Sequence, residues 1–145
     1  MANFTYSNTG LALTKKFEGL KLNAYQDHVG VWTIGYGHTG STVHAGQTIT
    51  QDQADQLLHS DIAASVACVN RAVTAAINQN QFDALVDFVF NLGCAALLSS
   101  TLLREVNAGN FAAAAQQFLL WDYARGVVID GLHQRRKGES DLFQK

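Results

Sequence analysis

Glu18, Asp27 and Thr33 are the residues of this 145-residue chain whose types and spacing could support a reaction. Eight residues separate the two carboxyl side chains, and five separate Asp27 from Thr33. Two carboxyls suit cleavage of a glycosidic bond. One protonates the leaving oxygen, and the other directs water or stabilises positive charge. The two jobs need unlike surroundings, because one group must hold its proton while the other stays ionised. Glu18 falls at the end of a short helix, where the negative end of the macrodipole disfavours a charged carboxylate. That position suits a general acid. Asp27 opens the turn Asp27-His28-Val29-Gly30, where backbone N–H groups can favour an ionised partner. The same spacing is also common between a solvated helix end and a turn former, so spacing alone does not assign the roles.

The elements that must position these residues can be read from periodicity. Leu11 to Phe17 predicts a short helix closed by Gly19. Lys21 to Gln26, the turn, and Val31 to Tyr36 then predict an antiparallel hairpin, with Trp32, Ile34 and Tyr36 on one face. Thr50 and Gln53 form a capping box, after which Ala54, Leu57, Leu58, Ile62, Val66 and Val69 mark a helix of about 20 residues, about 30 Å long. A second helix follows Asn78-Gln79-Asn80 and ends at Gly93; it is apolar nearly all round and is therefore expected at the centre of a helical lobe. Three more are expected: from Ser99 or Ser100 to Gly109, from Asn110 to near Gly126, and after Asp130, each opening on a capping residue.

Composition bounds the rest. The chain is 48% apolar and 15% charged with a net charge of −2, which excludes intrinsic disorder. A single domain spanning 1–145 is expected, since a chain of this size can bury roughly 68–70% of its unfolded surface. Its sublobes are placed at about 12–50, with the sheet, and at about 70–145 together with the N-terminal residues. A pI near 6.2 argues against a nucleic-acid binder. No apolar run approaches the ~20 residues of a membrane span, and no signal peptide is visible, so no membrane anchor is expected. Cys68 and Cys94 lie outside any Cys-x-x-Cys spacing, and the reading favours two buried free thiols over a disulfide.

Longer stretches carry a resemblance. Phe17-Glu18-Gly19-Leu20-Lys21-Leu22, Ala24-Tyr25-Gln26-Asp27 and Trp32-Thr33-Ile34-Gly35-Tyr36-Gly37-His38-Thr39 closely resemble the bacteriophage-type lysozymes of glycoside hydrolase family 24. The likeness continues through Thr50 to Leu57, Asn80 to Leu85, Phe90-Asn91-Leu92-Gly93, Ser100 to Leu103, Trp121 and Gly131 to Arg136, covering nearly the whole chain in order.

The resemblance implies an α+β, mostly helical, lysozyme-like fold. A small N-terminal β-sheet lobe would join a C-terminal helical lobe through the long helix, with the active-site cleft between them. It implies a muramidase that hydrolyses the bond from N-acetylmuramic acid to N-acetylglucosamine in peptidoglycan, usually with inversion. Carried over by position, Glu18 is the general acid, Asp27 orients or activates water, and the Thr33 hydroxyl helps hold that water. An inverting pair would stand about 6.5–9.5 Å apart. Tyr36, Gly37, Phe90 and Asn91 are expected to meet the sugar, although Tyr36 is equally suited to sheet packing and Phe90 alone would read as a core aromatic. His38 is read as a structural hydrogen-bonding residue. Arg135 or Arg136 is a possible partner of the general acid; the alternative is a surface arginine pair with Glu139 as helix neighbour. The basic run His133 to Lys137 could meet anionic wall material.

No metal or cofactor is implied. The expected partner is the peptidoglycan glycan strand, met by a monomeric phage endolysin. It would accumulate in the host cytoplasm and reach the periplasm and wall through holes made by a separate holin. Two rivals remain: a lytic transglycosylase giving anhydro-muramic products, and a non-catalytic wall-binding protein on the same fold.

Overall fold

The structure, a computed structural model, describes residues 3–124 and 126–145. Along the chain come α1 (Asn8–Glu18), β1 (Lys21–Gln26), β2 (Trp32–Gly35), α2 (Gln51–Ala72), α3 (Gln79–Leu92) and α4 (Cys94–Leu98). They are followed by α5 (Thr101–Asn107), α6 (Phe111–Phe118), β3 (Tyr123–Ala124), β4 (Val127–Val128) and α7 (Asp130–Phe143). The fold is α+β and mostly helical, as expected. Among the described residues no helix is long and apolar enough to cross a membrane.

The chain separates into two compact units, Thr14–Ala63 and the remainder before and after it. The unit Thr14–Ala63 holds the sheet. β1 and β2 pair antiparallel in the register Tyr25↔Thr33 and Gln26↔Trp32, and meet again at Lys21↔Gly35 after an irregularity. The hairpin is closed by Asp27 N–H donating to the Val31 carbonyl at 2.9 Å, with Gly30 at φ +86. Ile34 is fully buried and forms an isolated bridge to His38, which tightens the chain just after β2. α2 then starts on the expected box: Thr50 Oγ1 accepts from Gln53 N–H at 3.1 Å, and Gln53 Oε1 accepts from Thr50 N–H at 2.9 Å. Each satisfies an N–H that a helix start would leave without a partner.

The other unit is built on α3. Its capping box joins Asn78 and Gln81, and Gln81 to Val89 are all buried, which is where an element apolar on every side must go. Phe88 meets Phe118 of α6 and Trp121 edge-on at 5.8 and 5.4 Å, and Phe118 meets Phe143 of α7 at 5.4 Å. Each ring so buried contributes about 1.5–3 kcal/mol of transfer free energy.

Several expectations are corrected here. The helix from Asn110 does not run to Gly126. It ends at Phe118, and the chain turns so that Trp121 packs on Phe88 before Tyr123–Ala124 pairs with Val127–Val128. Residue 125, inside that expected helix, lies outside the described residues. Neither α6 nor α7 has a side-chain cap. Ile129 occupies the N-cap of α7, and Asp130 sits in its first turn. Most consequentially, Cys68 of α2 and Cys94 of α4 are joined in a disulfide, so the reading of two free thiols is wrong.

Candidate active site

Glu18 is the last residue of α1, and Gly19 at φ +73 lets the chain leave the helix for β1. Its carboxyl lies against Gly37. A Cβ placed on Gly37 would stand 2.7 Å from Glu18 Oε1 and displace the carboxyl, and φ +79 independently favours glycine. The space at Gly37 is thus filled by the carboxyl itself.

Asp27 sits where β1 ends. Its Oδ1 accepts two backbone N–H bonds, from Val29 and Val31, both at 2.9 Å. The Val31 bond is the largest influence and holds the carboxyl below its usual value of 3.8; desolvation, next in size, opposes it, and Val29, the neighbouring His28 and Gly30 add to the lowering. Asp27 therefore favours the ionised form, as an Asx-type turn with donors on the acid would dictate.

Thr33 stands on β2 opposite Tyr25, and its side chain is buried, with Oγ1 donating to the Val31 carbonyl at 3.0 Å. Val31 thus serves both residues through its backbone: its N–H goes to Asp27 and its carbonyl accepts from Thr33. A threonine oxygen that donates one bond keeps two lone pairs. Tyr36 is buried, with the Lys15 ammonium 5.4 Å from its ring centroid. His38 Nδ1 lies 2.8 Å from Asp61 Oδ2, a hydrogen-bonding role.

The remaining expected residues belong to the helical unit. Phe90 and Asn91 follow the buried run of α3 and are half-exposed, so Phe90 is not a core aromatic. Arg136 Nη2 donates to Asn91 Oδ1 at 2.9 Å and to Glu139 Oε2 at 2.9 Å. Arg135 grips Asp87 through Nε and Nη2 at 3.0 and 2.9 Å. Both arginines are buried, which corrects the surface-pair alternative. The basic run consequently offers little to an anionic surface. His133 bonds Asp122, Arg135 and Arg136 are committed inside, and exposed Lys137 faces Asp141 at 3.4 Å.

Glu139 is raised well above the usual carboxyl value of 4.5, first by desolvation, then by its hydrogen bond to Asp87 and that residue's charge, with Arg136 opposing. Sequence reading missed Asp87, although a carboxylate inside an apolar helix is itself a sign that a buried cation must meet it.

A family model described as phage lysozyme matches residues 15–139. The chain is 42% identical to an endolysin of Acyrthosiphon pisum secondary endosymbiont phage 1, over 95% of this chain and 97% of that protein. It is 46% identical to an endolysin of Bacillus phage B103, over 94% of this chain and 53% of that protein, so it spans about half the length of that relative. The solved structure of an endolysin from Escherichia coli O157:H7 phage FAHEc1 superposes with a TM-score of 0.93 at 39% identity, covering 98% of this chain and 94% of that one.

Proposed function

The chain belongs to the phage lysozyme family, and from that premise we propose that it is a muramidase that lyses the host cell. It hydrolyses the β-1,4 bond between N-acetylmuramic acid and N-acetylglucosamine in bacterial peptidoglycan. Glu18 donates its proton to the glycosidic oxygen as the bond to the leaving sugar breaks. Asp27, kept ionised, takes a proton from the water that attacks the anomeric carbon, and Thr33 offers that water an acceptor. Attack on the face opposite the leaving group gives inversion. Tyr36, Gly37, Phe90 and Asn91 meet the sugar, and Arg135 or Arg136 is the partner of the general acid.

The observation that carries this reading is the pair of backbone N–H bonds on Asp27 Oδ1, which favour the charged state a water-activating carboxylate needs. The orientation of the Asn91 amide by Arg136 supports its role in the sugar site, since a fixed amide loses less freedom on binding. On the same reading the enzyme acts as a monomer, is made in the host cytoplasm, and gains the wall through a separate holin.

The test is lysis of purified cell walls by wild type, Glu18→Gln and Asp27→Asn, with folding followed by circular dichroism. Loss of lysis by roughly 10²-fold or more in folded variants is expected. Walls cleared at the wild-type rate by folded Glu18→Gln would overturn the assignment.

A further inference from the structure

A cavity of about 320 Å³ opens in the helical unit, within the ~300–1,000 Å³ typical of small-ligand sites. Asn78 and Gln81 line it from the start of α3, Phe111 and Ala112 from the start of α6, and Phe143, Gln144 and the cationic Lys145 from the end of α7. None of these residues has a part in the reaction above.

The chemistry of the lining is specific. Asn78 Oδ1 and Gln81 Oε1 are committed as acceptors to the capping box, each at 2.8 Å from the other residue's N–H. Their amide NH₂ groups take no part in that box, and Gln81 is only 8% exposed. Gln144 is the reverse case. Its Nε2 donates to Ser140 O and Oγ at 3.2 Å, which leaves Oε1 as an acceptor. Phe143 is buried and Phe111 half-exposed, their centroids 6.1 Å apart in an edge-on arrangement. The cavity therefore presents amide donors, an amide acceptor and an aromatic face, with the Lys145 ammonium as a further donor.

An N-acetylhexosamine offers the complement of each: an acetamido carbonyl, an acetamido N–H, and a C–H face that packs against the negative face of a ring. We propose that this cavity is a second saccharide site, which takes one N-acetylhexosamine residue of a glycan strand and retains the enzyme on insoluble wall. The inference rests on the muramidase reading, because the wall that reading makes the substrate is a polymer of N-acetylated sugars. Two-point attachment converts the second contact into an intramolecular one and raises retention without raising turnover.

The probe is N-acetylglucosamine itself, titrated into ¹⁵N-labelled protein while the side-chain amides of Asn78, Gln81 and Gln144 are followed. Ala112 is exposed, so Ala112→Trp fills the cavity mouth without opening the core; Phe111→Ala removes the ring. Saturable shifts at the three amides are expected in wild type and absent in Ala112→Trp. Retention on pelleted peptidoglycan should fall roughly tenfold or more in both variants, while cleavage of soluble glycan fragments stays unchanged. Amides that do not respond to the sugar, or an Ala112→Trp protein that pellets like wild type, would overturn the proposal. Failure of wild type to cleave soluble glycan would instead strike the muramidase reading, and the amide titration tells the two apart.

Discussion

Gly37 leaves room for the Glu18 carboxyl that no other residue would leave: a Cβ there would lie 2.7 Å from Oε1. Gly37→Ala must either move Glu18 or move the backbone, and it also bears an added cost of about 1–2 kcal/mol at φ +79. Activity should fall roughly 10²-fold, the size expected for displacing a reacting group by about 1 Å. Gly46→Ala is the control. It has φ +80 with nothing within 4 Å, so it should lose similar stability and keep its turnover. Equal activity loss in both variants would show that Gly37 matters only as backbone.

Asp27 should titrate below 3.8, because the Val31 N–H bond favours its carboxylate. A group whose folded value lies below its unfolded value contributes stability present above the unfolded value and lost as pH falls through the folded one. The acid limb of activity that belongs to Asp27 should therefore lie below the usual carboxylate range. Direct ¹³C titration of the Asp27 carboxyl checks this, and a midpoint above 3.8 would contradict it.

Much of this was legible because helix starts and tight turns are written locally. Thr50 with Gln53 marked α2, Gly93 marked the end of α3, and Asp27 to Gly30 marked the hairpin with both carboxyls beside it. What stayed hidden depends on contacts between distant segments. Ala112 to Ala115 favour helix, yet nothing local stops it at Phe118. Arg135 and Arg136 read equally as a surface pair or as partners of the general acid, because their burial depends on Asp87, Asn91 and Glu139 meeting them. The contact of Gly37 with Glu18 likewise exists only once the hairpin has formed.

The Cys68–Cys94 bond closes a separation of 26 residues, which the chain-entropy account values at about 3–4 kcal/mol. Replacing both cysteines by alanine should lower the melting temperature by several degrees. Dithiothreitol should lower it in wild type and leave the double variant unmoved. An insensitive wild type would contradict the bond.

Glu139 is held well above 4.5, chiefly by desolvation. The sign follows: a raised folded value contributes stability that is present below the unfolded value and lost as pH rises through the folded one. Wild type should lose stability as pH rises past that raised value, whereas Glu139→Gln, which keeps an acceptor for Arg136 and a donor for Asp87, should not show that step. Thermal melting followed as pH rises above 4.5 compares them, and parallel curves would contradict the assignment.

The central claim is a hydrolysis driven by the Glu18 proton. Mass spectrometry of the muropeptides released from purified peptidoglycan, with Glu18→Gln alongside, tests it most directly. Hydrated reducing-end muramic acid, missing with the variant, is the predicted result. Anhydro-muramic products would contradict it, because that route needs no positioned water and leaves Asp27 and Thr33 without their part.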